Sequence, residues 1–425
     1  MPDFRPLAHP LRPALNPGLW KRAAWIGLPE IAMVALLLSA TLAVRFPVPG
    51  LGRTASAFDV ALLVLFPVWI VCVRRQGMPW VPRPYLLLGL LMLGLGAGSL
   101  IWSVDRGASL VHVIVSIESL LAFAYALTFL RRLRERQWMQ LAQLFVVLLV
   151  LPGVLLWLGV PGFQPPAEIV PRSGDWWSYY VRLSHPFVGR SNNLAALLLL
   201  LVPPLASWAM RTKRLRDVLV ALTATTALIL TFSRGALLAL LIVLAVHLAT
   251  ERTSRRQVWR VFRWALPVLV LAGLMAALNP VTRNLILARL SVTNIDARVD
   301  LLAGFWNDVV ANWLLGMGAG TGIDVHNTYA QQLLSFGVLG GSWVSATLLW
   351  TGVWWFRRHE STRPVLKRIL GLGVAALLLS FAVESSFEGN LLRPLIWLVW
   401  GMLVSLSTRQ SARVRKPRSS RSPSA

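Results

Sequence analysis

One histidine stands where proton transfer could take place. His326 follows the glycine-rich run Gly316–Gly322 and Asp324, and it precedes Asn327 at the start of a long apolar segment. A neutral imidazole can accept a proton from a hydroxyl group near neutral pH. This position indicates a general base at His326, and a helix-capping or hydrogen-bonding histidine is the plainer alternative. The glycine run is open to two interpretations, a tight re-entry turn or close approach of its backbone to a ligand.

Arginine is the second residue type whose placement suggests chemistry. Arginines lie beside the ends of apolar segments and in the loop before His326; these are Arg190, Arg234, Arg283, Arg289 and Arg298. A guanidinium offers five donors in a fixed fork and keeps its charge when it is partly desolvated, so it suits phosphate oxygens. Each arginine alone could instead snorkel to the membrane surface or pair with a loop carboxylate. Together they predict a site for an anion.

Carboxylate pairs that would hold a catalytic metal ion are not evident in the sequence. Asp324 does not stand at a recognisable ligand spacing from Asp300 or Asp308. Glu384 and Glu388 lie one helical turn apart and could bind a cation or balance the arginine charge. We therefore predict no metal and no cofactor, with arginines neutralising phosphate charge instead.

The elements that must position these residues are apolar stretches long enough to cross a hydrocarbon layer of about 30 Å. Hydrophobic residues make up 56% of the 425 residues and charged residues 14%, which leaves too little polar surface for a soluble globule. Backbone groups in lipid must be satisfied within their own segment, so the spans are helices. We predict an all-α polytopic integral membrane protein with a single bundle over residues 27–408 and twelve transmembrane helices, at about 27–44, 57–73, 85–102, 108–130, 138–160, 189–210, 218–232, 236–249, 264–278, 328–356, 368–383 and 391–407.

Basic residues predict the orientation of the bundle. With the N-terminus inside, 31 of the 42 Lys and Arg residues fall on the inner side, and the other 11 are all arginine. Cytoplasmic loops of membrane proteins collect positive charge. Residues 1–26 and 409–425 are therefore predicted to be cytoplasmic tails, and the two long loops, about 161–188 and 279–327, are predicted to lie on the other face.

Charge and cysteine content exclude two classes of function. The net charge of +25 is divided among short loops beside the spans, where topology and anionic lipid headgroups account for it, so we predict no nucleic-acid partner. Cys72 is the only cysteine and lies within a predicted span, which excludes an intramolecular disulfide and a thiolate metal cluster.

The second long loop has a helical pattern of its own. Val299, Leu302, Trp306, Val309 and Trp313 recur at three- and four-residue steps. This spacing predicts an amphipathic helix over Asp300–Trp313 that lies on the bundle or in the membrane interface.

Several short motifs follow one another in a set order. They are Arg190-Ser191-Asn192-Asn193-Leu194-Ala195, Phe232-Ser233-Arg234-Gly235, Arg298 followed by Phe305-Trp306 and the glycine run, and His326-Asn327-Thr328-Tyr329 through Phe336-Gly337-Val338-Leu339-Gly340. This order, over about residues 185–345, resembles the O-antigen ligase and polymerase superfamily, and the histidine block is its most specific part. The resemblance implies a GT-C-like glycosyltransferase of the bacterial inner membrane with its active site facing the periplasm.

The resemblance also implies a reaction. The ligase branch of the superfamily transfers O-antigen from undecaprenyl diphosphate to a sugar hydroxyl of lipid A-core, inverting the anomeric carbon without a metal, and so completes lipopolysaccharide. The catalytic residues that it implies are His326, Arg298 and Arg234, and the motif residues Arg190, Asn192 and Asn327 are predicted to bind the diphosphate or the substrate. Arg283 and Arg289 match no motif, and the same binding role is predicted for them from their location in the second long loop. The aromatic residues of Trp176–Tyr180 are a candidate surface for stacking the acceptor sugar.

Two other functions stay open. An O-antigen polymerase or a protein O-oligosaccharyltransferase would use the same donor with another acceptor, and the long second loop with its glycine run favours the ligase. An anionic lipid or solute transporter would use intramembrane arginines to escort its cargo. Neither internal repeats nor pairs of spans broken by Gly or Pro are evident in the sequence, which favours an enzyme.

Overall fold

The computed structural model describes residues 27–42, 45–48, 53–157, 160, 183, 185, 191–250, 304–320, 327–357, 364–382 and 392–408. Their elements are, in chain order, α1 (Leu28–Thr41), β1 (Arg45–Val48), β2 (Arg53–Ser56), α2 (Ala57–Val64), α3 (Phe66–Gln76), α4 (Arg83–Ser99), α5 (Arg106–Phe129), α6 (Glu135–Trp157), α7 (Ser191–Thr212), α8 (Leu215–Leu230), α9 (Arg234–Thr250), α10 (304–311), α11 (Thr328–Phe356), α12 (Pro364–Ser380) and α13 (Leu392–Ser407). Apart from α10, each described helix falls on a predicted span, with α2 and α3 sharing one. The predicted span 264–278 and both predicted tails lie outside the described residues.

Several of these helices have the length and apolar composition of membrane spans. Four described helices, α5, α6, α7 and α11, are long and apolar enough to cross one, and α2 with α3 makes a fifth if the bent pair is a single span. The bend between α2 and α3 is 42°, and Pro67 in the first turn of α3 has no backbone N–H to continue the ladder. Helices α1, α4 and α13 are apolar but shorter. The apolar helices support a membrane protein, while the number of twelve crossings stays a prediction.

One short hairpin departs from the predicted all-α fold. Strands β1 and β2 pair antiparallel, with Arg45 opposite Ser56 and Val48 opposite Arg53. Ser56 also starts α2 through a capping box, because its backbone N–H donates to Asp59 Oδ2 at 2.7 Å and its Oγ accepts from the Asp59 N–H at 3.3 Å. Strands of four residues place only two side chains on each face, which is too few for a period of two to be recognised.

Helix α7 forms the centre of the bundle. Its residues Leu194–Leu201 are all buried, and α6, α8, α9, α12 and α13 pack around it. Glycines bring some neighbours especially close. A Cβ atom on Gly373 of α12 would lie 2.7 Å from the Leu199 carbonyl oxygen, and one on Gly401 of α13 would lie 2.8 Å from the Phe123 carbonyl oxygen of α5. Small residues at such contacts let membrane helices associate through van der Waals packing.

Most of the described basic residues gather at one end of the bundle, which we call the basic end; they are Arg74, Arg75, Arg83, Arg131, Arg132, Arg134, Arg136, Arg211, Lys213, Arg214, Arg216, Arg357, Lys367 and Arg368. Buried Asp217 ties three helices together there, since it accepts hydrogen bonds from Gln143 Nε2 at 2.8 Å and Thr212 Oγ1 at 2.7 Å. Lys367 is also buried, with its Nζ 3.9 Å from the centre of the Trp354 ring.

Candidate functional site

The start of α11 is fixed at the end of the bundle opposite the basic end. Asn327 caps this helix, because its Oδ1 accepts from the Ala330 N–H at 3.0 Å. Its Nδ2 donates to the Ala382 carbonyl oxygen at 2.9 Å, and the Thr328 N–H donates to the Phe381 carbonyl oxygen at 2.8 Å. The chain that enters α11 is therefore held against the end of α12. A substrate contact by Asn327 would have to use the second hydrogen or lone pair of its amide.

Arg234 follows a turn with little freedom to move. Phe232 has φ +48°, a left-handed conformation that costs a residue with a side chain about 1–2 kcal/mol. Thr231 and Ser233, both buried, hold the turn, as Thr231 Oγ1 donates to the Leu228 carbonyl oxygen at 2.6 Å and Ser233 Oγ accepts from the Ala236 N–H at 3.4 Å. Arg234 begins α9 with an exposed side chain. A cation on a rigid turn needs no further ordering of its backbone to bind an anion.

The described candidates share one end of the bundle. Asn192 lies in the first turn of α7, Arg234 starts α9, and Asn327 caps α11. Helices α7 and α9 both pack against α12, whose end meets Asn327. Other candidates lie outside the described residues, so the structure gives no position for them; these are His326, Arg298, Arg190, Arg289, Arg283, Asp324, Glu384, Glu388 and Trp176–Tyr180.

Helix α11 is broken at Gly337, and residues 313–320, which we call the glycine loop, fill the break. Gly337 has φ +63° and ψ −172°. In a continuous helix the Val338 N–H would donate to the Leu334 carbonyl oxygen. Here it donates to the Trp313 carbonyl oxygen at 2.7 Å, and the Leu334 oxygen accepts from the Met317 N–H at 2.8 Å instead. The loop thus satisfies backbone groups that the break leaves open, as buried polar groups require.

Serines at the junction of α4 and α5 hold the other side of the glycine loop. Ser99 Oγ accepts from the Ala319 N–H at 3.2 Å, and Ser109 Oγ donates to the Ala319 carbonyl oxygen at 2.8 Å. Ser103 Oγ lies 2.8 Å from Ser109 Oγ. All three serines are buried. Both sides of the loop therefore pack on protein, which favours the re-entry turn over direct ligand contact for the described part of the run, while Gly322 lies outside it.

Replacing Gly318 with alanine should destabilise the fold. Gly318 has φ +97°, and a Cβ atom there would fall on the side chain and Cα of Ser103. Strain and overpacking together should cost about 2 kcal/mol or more, seen as a lower midpoint of thermal unfolding in detergent. Gly94→Ala is the matched control, because a Cβ at Gly94 of α4 would meet no atom within 4 Å. Equal midpoints for the two variants would contradict this packing role.

His185, in the first long loop, packs against α6. Its side chain is fully buried, with Nε2 3.3 Å from the Leu148 carbonyl oxygen of α6. Burial lowers the pKa of His185 to about 4, and the hydrogen bond to Leu148 opposes this shift. The ring is therefore neutral near pH 7. Nearby, the Leu183 N–H donates to the Leu230 carbonyl oxygen at 2.9 Å, which joins this loop to the turn before Arg234.

Sequence reasoning missed two sets of polar residues near these candidates. Ser99, Ser103 and Ser109 resemble ordinary small residues at helix ends, so nothing in the sequence pointed to their contact with Ala319. Gln332 in α11 is buried, and its Oε1 accepts no hydrogen bond from the residues that the structure describes. A buried oxygen of this kind requires a partner. Two adjacent glutamines in an apolar span were the sequence signal that could have drawn attention to it.

In the described ranges, no group of three or more His, Cys, Asp or Glu side chains could hold a metal ion. No protein-family model matches the chain, and no curated protein matches it. The chemistry available at this end of the bundle is that of its own residues. An exposed guanidinium on a rigid turn can bind a phosphate group.

Proposed function

We propose that this protein is an O-antigen ligase, a glycosyltransferase of the bacterial inner membrane. It transfers O-antigen glycan from undecaprenyl diphosphate to a sugar hydroxyl of lipid A-core, with inversion and without a metal. The proposal includes a GT-C-like bundle of twelve spans, both termini in the cytoplasm and an active site that faces the periplasm. The catalytic residues are His326, Arg298 and Arg234, assisted by Arg190, Arg283, Arg289, Asn192 and Asn327.

The observation that carries the proposal is that most of the described basic residues lie at one end of the bundle and the described candidate residues lie at the other. Arg234, Asn192 and Asn327 lie at the end opposite the basic end. Positive charge collects on the cytoplasmic side of membrane proteins, so the basic end is the cytoplasmic end and the candidates face the periplasm. An exposed arginine there is not needed for topology, and a lipid diphosphate displayed at that face is an anion that it can bind.

Each of the three catalytic residues has a role in the proposed reaction. The acceptor hydroxyl oxygen attacks the anomeric carbon from the face opposite the diphosphate, His326 takes the hydroxyl proton, and the bond from the anomeric carbon to the diphosphate oxygen breaks. Negative charge then develops on undecaprenyl diphosphate. Guanidinium groups of Arg234 and Arg298, held in a water-poor interface, stabilise that charge as a divalent cation would. Because hydrogen bonds already fix the turn before Arg234, its backbone does not have to be ordered when the diphosphate binds.

The alternatives differ in acceptor or in class. A polymerase or a protein O-oligosaccharyltransferase would have the same donor site with another acceptor, and the long second loop with its glycine run favours the ligase. Broken helices favour a transporter of anionic lipid or solute. Helix α11 breaks at Gly337 and α2 is bent from α3, and the sequence predicted neither feature. At Gly337, however, the carbonyl of Leu334 and the N–H of Val338 are bound by the glycine loop rather than turned toward a cargo. The enzyme is therefore the better-supported function.

A reconstituted reaction tests the proposal. Purified protein in detergent is given undecaprenyl diphosphate-linked O-antigen and lipid A-core, after exhaustive EDTA treatment, and the product is followed by electrophoresis. We expect transfer to lipid A-core at the rate of the untreated protein, because arginines neutralise the diphosphate. Activity lost in EDTA and restored by Mg²⁺ or Mn²⁺ would implicate Glu384, Glu388 or Asp324 and contradict the metal-independent mechanism. Product formed only on a second lipid-linked glycan would identify a polymerase.

A further inference from the structure

Helix α10 presents three different faces. Phe305 and Val309 are each 7% exposed and pack on Leu334 of α11. At about 100° per residue, Trp306 and Val310 lie on the next face, and Asn307 and Ala311 lie beyond it. Trp306 is 62% exposed and Val310 is 57% exposed, and both residues of the third face are exposed as well. One face of this short helix is thus covered by the bundle, while an apolar face and a more polar face remain open.

The apolar face of α10 belongs to a larger surface, the rim patch, which consists of Ile101, Val104, Trp306, Val310, Trp313 and Leu315, all exposed. Two hydrogen bonds join its halves. Trp102 Nε1 donates to the Leu315 carbonyl oxygen at 3.1 Å, and the Val104 N–H donates to the Met317 carbonyl oxygen at 3.2 Å. The patch is therefore a fixed surface rather than a set of scattered side chains. Contiguous exposed apolar surfaces of this kind mark contact with a partner or a membrane.

The rim patch continues into the apolar exterior of the bundle. Val338, Leu339 and Trp343 of α11 are exposed, as are Leu86 and Leu90 of α4. Val338 directly adjoins the patch, since its N–H donates to the Trp313 carbonyl oxygen at 2.7 Å. Apolar side chains that stay exposed on the apolar helices of a membrane protein face lipid. The patch is thus continuous with a lipid-facing surface.

The level of the patch along α11 agrees with the edge of a bilayer. The part of α11 after the break, residues 338–356, is roughly 28 Å long at about 1.5 Å per residue, close to the thickness of a hydrocarbon layer of about 30 Å. Val338 stands at the end of this part that lies away from the basic end, and its N–H donates to the Trp313 carbonyl oxygen beside α10. The helix α10 therefore sits near the boundary between hydrocarbon and headgroups, where tryptophan is enriched.

We propose that α10 is a membrane-interface helix whose partner is the phospholipid bilayer itself. The rim patch contacts acyl chains and glycerol groups, Trp306 and Trp313 lie at headgroup level, and Asn307 with Ala311 faces water. A lipid interface has an apolar side and a wet side, which is the arrangement that the two open faces of α10 require. A protein partner would have to cover both faces. This inference concerns the fold in its membrane and does not depend on the proposed transferase activity.

Site-directed spin labelling of the full chain in vesicles of phosphatidylcholine and phosphatidylglycerol tests this inference. Single cysteines replace Val310, Asn307 and Leu339 in a Cys72→Ala background, and each carries a nitroxide. Power saturation then measures collision with oxygen, which concentrates in lipid, and with a water-soluble nickel chelate. Val310→Cys should show an oxygen-to-nickel ratio close to that of Leu339→Cys on α11 and severalfold above that of Asn307→Cys on the water-facing side.

Two results would overturn the inference. Equal nickel accessibility at Val310→Cys and Asn307→Cys would place the rim patch in water. Protection of Val310→Cys from both reagents would show that another segment of this chain or a second copy covers the patch. All three sites are exposed, so the labelled variants should fold, and a single symmetric peak in size-exclusion chromatography checks that they do.

Discussion

His326→Ala is expected to abolish glycan transfer while the protein still folds and inserts. A positioned general base contributes roughly 10²–10⁴-fold to a rate, so the variant should retain less than about a tenth of wild-type activity. His326→Gln keeps some hydrogen bonding but cannot accept the proton, and it should fail as well. Initial rates of transfer to lipid A-core in vitro, at matched amounts of monodisperse protein, provide the measurement.

The matched control is His359→Ala. His359 follows Arg357 and Arg358 in the sequence and falls on the predicted cytoplasmic side of the membrane, so its replacement should leave the rate near wild type. Retention of more than about a tenth of wild-type activity by His326→Ala would remove the general-base role. Activity in His326→Gln but not in His326→Ala would assign this histidine to hydrogen bonding alone.

Lysine at Arg234 or Arg298 is expected to cost almost as much activity as alanine. Lysine keeps the positive charge but loses the two-pronged donation that matches a pair of phosphate oxygens. Arg234 starts α9 on a turn fixed by Thr231, Phe232 and Ser233, so a change of side chain should not be offset by movement of the backbone. Transfer from undecaprenyl diphosphate-linked glycan by each Lys variant is compared with the corresponding Ala variant.

Arg45→Lys serves as the control for charge and topology. Arg45 lies in β1, and the predicted topology puts it on the same side of the membrane as Arg234. Its lysine variant should be close to wild type. If Arg234→Lys and Arg298→Lys were also fully active, both arginines would be membrane anchors, and the diphosphate site would lose its main physical support.

Helices were the most predictable part of this protein. A run of apolar residues in lipid has to satisfy its own backbone, so composition alone predicted helices at the described spans. The start of α11 at Thr328 agrees with the predicted span 328–356. That the side chain of Asn327 caps this helix was not predicted, since Asn327 was assigned to substrate binding. The β1–β2 hairpin could not be predicted, because strands of four residues are too short to show an alternation of apolar and polar side chains. The bend before α3 could have been found from Pro67, but a single proline is also compatible with a continuous span.

Periodicity predicted the amphipathic helix but not which of its faces is buried. The pattern in the second long loop predicted a helix and left its location open between the bundle and the interface. The structure buries Val309, but it leaves Trp306 and Trp313 exposed and buries Phe305 instead. Three- and four-residue spacing identifies apolar positions, while the choice of face depends on which neighbour is present to cover it. Leu334 of α11 is that neighbour, and it lies more than twenty residues further along the chain.

By itself, the sequence determined the class of the protein and the asymmetry of its charge, because hydropathy and the distribution of Lys and Arg are local properties of the chain. It also supplied the resemblance that nominates His326, Arg298 and Arg234. Tertiary structure alone decided that the glycine run packs into the break at Gly337 and against Ser99, Ser103 and Ser109. It also decided that the end of α12 holds Asn327. Those contacts join residues 17 to 220 positions apart, and which distant backbone groups pair depends on how the helices pack.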